Sequence, residues 1–338
     1  MTWSTCLCIT LTTLQLLIPA TSNNPNTTTL SPSPFLNHAL TSLLSQRKDS
    51  FRFIQIGSYV GATHNDPIFI KALEQQWSGV LVEPVPAVFE HLRRNYIAAD
   101  THLQDISTSN GGVSRSHINA RLSFSNVAIC EESKRTHLYY LSPPVVDDII
   151  SMLVPEGDAA NRSQMREQLP NWSQQASSLL RSQMVSQLMK YFFLELNEAE
   201  IIADKSRIEI QCTTYETLVS KHKQRLQQEA LGSGKSVVQV DYVHIDAEGY
   251  DWNIVLAIVG VKEKYSLPSI LCYESMHIGD EHFRKEKIEW MLSKHDYVCE
   301  IVNNGEDTCC YQASIIGTAV VTSAASNHVV QHHDHDEM

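Results

Sequence analysis

Residues 53–61 read Phe-Ile-Gln-Ile-Gly-Ser-Tyr-Val-Gly, and residues 80–84 read Val-Leu-Val-Glu-Pro. In the first stretch an apolar run ends at two glycines, Gly57 and Gly61, with the spacing G-x-x-x-G. In the second, another apolar run ends at Glu83, about twenty residues beyond the second glycine. This layout is typical of a nucleotide-binding βαβ unit. The glycines permit a tight turn and a close approach of the backbone, and the carboxylate accepts hydrogen bonds from ribose hydroxyls.

A second acidic segment follows another apolar run far downstream. Residues 240–251 read Val-Asp-Tyr-Val-His-Ile-Asp-Ala-Glu-Gly-Tyr-Asp, and an apolar pattern of helical period comes after them. In an open α/β sheet, ligands bind beyond the carboxyl ends of the strands. Asp246 and Glu248 are therefore expected to reach the same crevice as Glu83.

Together these segments resemble the FkbM family of S-adenosylmethionine-dependent methyltransferases. The motifs of that family run approximately D-x-G-x-x-x-G, E-P-x-P-x-x-F-x-x-L-x-x-N and K-I-D-x-E-G-x-E. Residues 83–95 match the second motif at every specified position, and residues 244–251 follow the third, with His244 where the family usually has lysine. The first motif keeps both glycines but has Gln55 at its acidic position. The resemblance covers roughly residues 51–320.

The resemblance implies an α/β fold of the Rossmann-like class I methyltransferase type. Such a fold has a mostly parallel seven-stranded sheet, here with a C-terminal antiparallel hairpin and a helical insertion. It also implies S-adenosylmethionine as the cofactor. The residues expected to bind it are Gln55, Gly57, Ser58, Gly61, Glu83, Pro84, Asn126 (with Ala128 nearby), Asp246 and Glu248. An acid at position 55 would help to hold the ammonium group of the cofactor, and Gln55 supplies no charge, which predicts a lower affinity.

The implied acceptor is a hydroxyl of a sugar, glycan or related metabolite. Methyl transfer is a displacement that depends mainly on positioning, but a hydroxyl acceptor must also lose its proton to a base. Asp246 is the first candidate for that base and His277 the second, followed by Glu274 and His244. A divalent ion held by Asp246, Glu248 or Glu274 is a less favoured interpretation, and no metal site is predicted.

Composition narrows the classes of function. The chain has 338 residues, 43% of them hydrophobic, enough for one large α/β domain or two small ones. Its net charge of −12, without a stripe of Lys and Arg, argues against a nucleic-acid partner. Two other functions stay open. One is a non-catalytic secreted glycoprotein that keeps the fold. The other, less favoured because Tyr59 breaks the pattern G-x-G-x-x-G, is a dinucleotide-dependent oxidoreductase.

The N-terminal region predicts entry into the secretory pathway. The first 46 residues carry no charged side chain and include an apolar stretch from Cys6 to Ala20. We expect a signal peptide or signal anchor over 1–22, then a flexible Ser/Thr/Pro-rich stem over 23–50. The triplet N-x-S/T occurs at Asn26, Asn161 and Asn171.

Six cysteines follow the leader, an even number that permits disulfides in an oxidising compartment. Cys299 is placed to pair with Cys309 or Cys310 across a hairpin. In a reducing compartment the six would be small buried side chains instead.

The methyltransferase domain is predicted over 51–322, with no membrane span, and a His- and Asp-rich disordered tail over 323–338. Within the domain, residues 143–205 interrupt the α/β alternation and predict a helical insertion that caps the strand ends. The pattern also predicts helices over 66–77 and 86–96, a loop over 104–120 and one strand over 122–129. The sequence indicates no oligomeric state.

Overall fold

The computed structural model describes residues 34–47, 50–61, 66–109, 117–154, 158–168, 177–229, 239–275 and 281–316. The predicted leader and tail, the acceptors Asn26 and Asn171 and the candidate base His277 lie outside these residues. No helix in the described ranges is both long and apolar enough to cross a membrane.

The described elements form a mixed α/β structure. The strands are β1 Arg52–Ile56, β2 Ser78–Val82, β3 Leu122–Ser125, β4 Ala128–Ile129, β5 Arg135–Tyr140, β6 Ser177–Ser178, β7 Arg207–Thr213, β8 Tyr242–Ile245, β9 Ile270–Glu274, β10 Tyr297–Val302 and β11 Asp307–Gln312. The helices are α1 Pro34–Arg47, α2 Phe69–Glu74, α3 Pro86–Ser109, α4 Ile118–Arg121, α5 Pro143–Leu153, α6 Ala159–Gln168, α7 Arg181–Phe192, α8 Leu196–Lys205, α9 Tyr215–Glu229, α10 Asp251–Gly260, α11 Glu281–Ser293 and α12 Ala313–Ile316.

Seven strands form the main sheet in the order β10-β11-β9-β8-β1-β2-β3. All of them run parallel except β11, which is antiparallel to both of its neighbours. The strand order reverses beside β1, because the chain moves outward through β2 and β3 and then returns to place β8 on the other side of β1. Such a switch point opens a crevice at the carboxyl ends of the strands.

Apolar side chains cover both faces of this sheet, as expected of buried parallel strands. On one face, helices α1, α2 and α3 pack against a core that includes Phe53, Leu81 and Tyr242. On the other, helices α9, α10 and α11 pack against Ile54, Val80 and Val243. The result is a three-layered sandwich in which alternate residues of each central strand point to opposite layers.

Helix α1 corrects the expectation of a flexible stem over residues 23–50. The side chains of Leu36, Ala39, Leu40 and Leu43 are buried in the core, and α1 also contacts α12 near the other end of the described chain. These positions have the i, i+3, i+4, i+7 spacing of an amphipathic helix. The Ser, Thr and Pro content of the surrounding sequence hid that spacing.

A second sheet of four short strands, in the order β4-β7-β5-β6, stands beside the main one. Helices α5, α7 and α8 pack around a separate apolar core that includes Val146, Leu188 and Ile202. A disulfide joins Cys130 to Cys212, just before and just after this excursion of the chain. The insertion therefore has its own core and is closed at its base by a covalent bond.

Two further disulfides fix the C-terminal hairpin. Cys299 pairs with Cys310 across β10 and β11, and Cys309 pairs with Cys272 across β11 and β9. Cys309 and Cys310 lie in the cores on opposite faces of the sheet. All six cysteines of the described residues are thus paired.

Three boundaries differ from the sequence prediction. Helix α2 begins at Phe69 rather than Asp66, although the Asp66 carboxylate accepts hydrogen bonds from the backbone N–H groups of Ile68 and Phe69, as an N-cap residue does. Helix α3 runs to Ser109 and α4 covers 118–121, so much of the expected loop over 104–120 is helical. The expected strand over 122–129 is split, because the chain leaves the main sheet after Ser125 and β4 pairs with β7.

Candidate functional site

A cleft lies at the carboxyl ends of β1, β2 and β8, with an empty volume of about 720 Å³ when the open solvent at its mouth is included. Its walls are mainly apolar, and the charged side chains among them are all acidic: Glu83, Asp246 and Glu248. Three tyrosines, Tyr59, Tyr140 and Tyr250, add aromatic surface.

The two glycines of the first motif are required by the protein's own packing. Gly57 has a φ of +77°, and a Cβ there would lie 1.7 Å from the backbone oxygen of Asp246. Gly61 has a φ of +70°, and a Cβ there would lie 2.6 Å from the ring of Tyr96. L residues rarely adopt this left-handed conformation. The glycines thus let the ends of β1 and β8 meet at the floor of the cleft.

Glu83 is held in a fixed orientation at the end of β2. One carboxylate oxygen accepts a hydrogen bond from the backbone N–H of Tyr59 at 3.0 Å, and the other accepts one from that of Val85 at 2.9 Å. Burial raises the pKa of Glu83 to about 7 against the lowering effect of these bonds. Each oxygen keeps further acceptor capacity, as ribose recognition requires.

Ser58 and Asn126 hold the loops around Glu83. The Ser58 hydroxyl donates to the backbone oxygen of Gln55 at 3.1 Å and accepts from the N–H of Val82 at 3.2 Å. The Asn126 amide donates to the backbone oxygens of Glu83 at 2.8 Å and Pro84 at 3.1 Å. Pro84 and Ala128 line the cleft, whereas Ser58 and Asn126 stand behind its lining.

Asp246 follows β8 and points into the cleft. Its side chain is accessible from the cleft yet lies deep in the protein, and this burial raises the pKa of Asp246 well above the usual aspartate value. The neighbouring carboxyl groups of Glu274 and then Glu248 raise it further. The raised pKa favours the protonated carboxyl group, so Asp246 can take a proton only in its ionised form.

Glu248 is positioned by the insertion. Its φ is +50°, a conformation rarely adopted by residues other than glycine. The Ser178 hydroxyl donates to its backbone oxygen at 3.1 Å, and the Gln187 amide donates to its carboxylate at 3.0 Å. Ser177 and Leu179 of the insertion also line the cleft. The insertion, interpreted from sequence as a cap, therefore contributes directly to the walls of the site.

Two of the other predicted base residues, His244 and Glu274, lie outside the lining of the cleft. His244 and Glu274 belong to β8 and β9 and are not among the lining residues. The His244 ring packs edge-on against Tyr242, and burial lowers the pKa of His244 to about 4. Burial also raises the pKa of Glu274, and the nearby Glu248 carboxyl adds to the shift. Of the four candidates, Asp246 alone among the described residues lines the cleft.

Gln55 lies on the sheet face that packs against α2. Its side-chain amide donates to the carboxylate of Asp66 at 3.2 Å. In the sheet its register partners are Leu81 on one side and His244 on the other.

Several residues of the site were missed from the sequence. Leu179 comes from the insertion, and Tyr140 comes from the end of β5, just before it. Asp66, which bonds to Gln55 behind the lining, was interpreted only as part of a helix. Nothing in the local pattern of Tyr140 or Gln187 marks them, since Tyr140 reaches the site by pairing with Ser177 and Gln187 by bonding to Glu248.

No group of three or more His, Cys, Asp or Glu side chains in the described residues is arranged to hold a metal ion. When they are ionised, the carboxyl groups of Glu83, Asp246 and Glu248 favour a cationic ligand in the cleft.

No family of known proteins has a model that matches this chain, and no curated protein matches its sequence. Among solved structures, the fold is similar to human methyltransferase 10 domain containing protein, with a TM-score of 0.33. The identity is 8%, over 82% of this chain and 80% of that one. A similarity at this level carries no argument about function. Membership of the FkbM family stays a prediction from the sequence motifs.

Proposed function

We propose that this protein is an S-adenosylmethionine-dependent methyltransferase. The observation that carries the proposal is the position of Glu83, whose two oxygens are fixed by backbone N–H groups at the end of β2, beside Gly57. This is the place and the orientation from which a carboxylate binds the ribose of a nucleoside at the switch point of an α/β sheet. The strand order and the antiparallel β11 support the class I arrangement that the sequence motifs imply.

The charge of the cleft supports this cofactor over a dinucleotide. A pyrophosphate would face Glu83, Asp246 and Glu248, and the described lining contains no Lys or Arg to neutralise it. A cofactor with a sulfonium and an ammonium group suits an acidic wall better. The dinucleotide alternative is therefore disfavoured by the site as well as by Tyr59 in the loop.

We assign the base to Asp246. When bound, S-adenosylmethionine supplies a methyl group activated by its sulfonium. The Asp246 carboxylate would accept the proton of the acceptor hydroxyl as that oxygen takes the methyl group. Glu248, fixed by Gln187, and the tyrosines of the lining would orient the acceptor and exclude water. The acceptor class, a hydroxyl of a sugar, glycan or related metabolite, rests on the family resemblance.

The proposed location is the lumen of the secretory pathway or the exterior of the cell. Three disulfides within the described residues support an oxidising compartment. Asn161, one of the N-x-S/T acceptors, is exposed on α6 and accessible to glycosylation. A reporter fused to residues 1–35 should enter the pathway, and retention of that reporter in the cytosol would contradict the assignment.

The proposal is tested first by binding. Calorimetric titration of the purified protein with S-adenosylmethionine and, separately, with NAD should give heat of binding for the first ligand alone. Binding of NAD alone would favour an oxidoreductase. Binding of neither would favour a non-catalytic glycoprotein that keeps the fold.

Catalysis is tested with methyl-labelled S-adenosylmethionine and a panel of glycans, followed by mass spectrometry. Asp246→Asn should lower turnover by about 10²- to 10⁴-fold, the usual contribution of a positioned base. Full turnover by this variant would remove Asp246 from the role. Activity that is lost in EDTA would reveal a metal ion that the described residues do not indicate.

A further inference from the structure

The side-chain oxygen of Gln55 lacks a hydrogen-bond donor. The residue is 3% exposed, and its amide nitrogen is used in the bond to Asp66. Its side-chain oxygen is buried and accepts no hydrogen bond. Buried acceptors without donors are rare in native proteins, and each needs an explanation such as a bound ligand.

Asp66 lies directly beside this oxygen-bearing side chain. One of its oxygens accepts from the N–H groups of Ile68 at 2.8 Å and Phe69 at 2.9 Å, and the other accepts from Gln55. Among the described residues, no Lys, Arg or His forms an ion pair with it. Burial raises the pKa of Asp66 to about 6, so the carboxylate is ionised at neutral pH without a counter-charge from these residues.

A second polar atom is buried without a partner. The hydroxyl of Tyr96 makes no hydrogen bond, and burial raises the pKa of Tyr96, with a further contribution from the charge of Asp66. Gln55 and Asp66, joined by a hydrogen bond, form an acceptor-rich group, which we call the Gln55–Asp66 pair. It has the composition of a receptor for an ammonium group, which offers three donors and one positive charge.

The Gln55–Asp66 pair adjoins the cleft along the chain. Gln55 directly precedes Ile56 and Gly57, both of which line the cleft, whereas its own side chain lies on the opposite face of β1, behind the lining. Gly61, at the other end of the same loop, packs on the ring of Tyr96. The loop at the floor of the cleft thus begins beside Gln55 and ends on Tyr96.

We propose that Asp66 supplies the negative charge that position 55 lacks, and that Gln55 and Asp66 together bind the α-ammonium group of S-adenosylmethionine. This inference rests on the proposed function. The negative charge would then come from Asp66, whereas the family motif has its acid at position 55. It also removes the reason to expect weak cofactor binding from Gln55.

The test is calorimetric titration of the wild type and of Asp66→Asn with two ligands. Asparagine keeps an oxygen for the N–H groups of Ile68 and Phe69, so the start of α2 is preserved while the charge is lost. S-adenosylmethionine should bind this variant more weakly by about ten- to hundredfold, the effect of losing one charged hydrogen bond. The second ligand, 5′-methylthioadenosine, has the nucleoside and sulfur but no ammonium group, and it should bind both proteins equally.

A double variant moves the charge back to its family position. Gln55→Asp combined with Asp66→Asn should recover most of the affinity for S-adenosylmethionine. Equal affinity of the wild type and Asp66→Asn for that ligand would overturn the inference and leave the proposed function intact. An equal loss for both ligands would also overturn it, because Asp66 would then act only on the fold of the loop. A wild type that binds neither ligand would overturn the proposed function itself.

Discussion

The side-chain amide of Gln187 donates a hydrogen bond of 3.0 Å to the carboxylate of Glu248. This bond joins a helix of the insertion to the acidic loop that follows β8, across 61 positions of the chain. Because Glu248 also has a left-handed backbone conformation, its orientation depends on contacts from outside its own segment. A direct side-chain contact therefore joins the insertion to the candidate site.

Gln187→Ala should lower the free energy of unfolding by about 1–3 kcal/mol, because a buried hydrogen bond to a charged group is lost. A double-mutant cycle with Glu248→Gln should show a coupling energy of roughly 1 kcal/mol, measured by urea unfolding. Ser186→Ala, at an exposed position of the same helix, is the matched control and should change little. Strictly additive effects of Gln187→Ala and Glu248→Gln would show that the bond does not couple the insertion to the loop.

Glu83→Ala should weaken the binding of S-adenosylmethionine by about ten- to hundredfold, the effect of one charged hydrogen bond to ribose. The N–H groups of Tyr59 and Val85 also lose their acceptor, so unfolding must be measured beside calorimetric affinity. Glu90→Ala, on the exposed side of α3, is the control. If Glu83→Ala left the affinity for S-adenosylmethionine unchanged, Glu83 would only hold the loops through its bonds to Tyr59 and Val85.

Burial of Glu83 and Asp251 should make the ligand-free protein lose stability as the pH rises from about 4.5 to about 7. It raises the pKa of both groups to about 7 from usual values of 4.5 and 3.8, so between these values the folded state binds more protons than the unfolded state. Their contribution is complete below the unfolded pKa values and is almost fully lost above the folded ones. Each group contributes on the order of a few kcal/mol over this window.

The histidines produce the opposite trend over the same pH range. Burial lowers the pKa of His222 and His244 to about 4 from a usual value of 6.5, so their contribution is lost as pH falls below 6.5. In the wild type the two trends oppose each other between about pH 4 and pH 7. Glu83→Gln removes the contribution of one carboxyl group, so urea unfolding should show this variant gaining stability relative to the wild type as pH rises from 4.5 to 7. A stability difference between the two proteins that does not change with pH would contradict the shift assigned to Glu83.

Removal of the disulfide at the base of the insertion should cost more than removal of the hairpin disulfide. Cys130 and Cys212 are 82 residues apart, whereas Cys299 and Cys310 are 11 apart. In the chain-entropy account the losses are about 4 and about 3 kcal/mol. Paired Cys→Ala variants, compared by chemical unfolding, measure both.

The two double variants should also differ in their affinity for S-adenosylmethionine. Ala128 and Leu138 line the cleft close to the Cys130–Cys212 disulfide. Loss of this disulfide should therefore also weaken the binding of S-adenosylmethionine, whereas loss of the hairpin disulfide should not. Equal affinity of both double variants for S-adenosylmethionine would show that the disulfide at the base of the insertion does not affect the proposed cofactor site.

The sequence alone predicted the central features of the fold for a physical reason. Parallel strands buried on both faces must be apolar runs, and left-handed turns at close contacts require glycine, so β1, Gly57, Gly61 and the segments ending in Glu83 and Asp246 were readable locally. Helix α1 shows the limit of this approach, because its buried leucines were masked by a composition that is typical of linkers.

Tertiary structure decided everything that depends on contacts between distant segments. Only the folded chain shows Gln187 on Glu248, the disulfide partners of all six paired cysteines, and Asp66 beside Gln55. Local periodicity is a property of neighbouring residues and specifies which face of an element is buried. It carries no information about which distant side chain is the partner of a given charge or hydrogen bond. In this protein such partners, contributed by distant segments, form the candidate site.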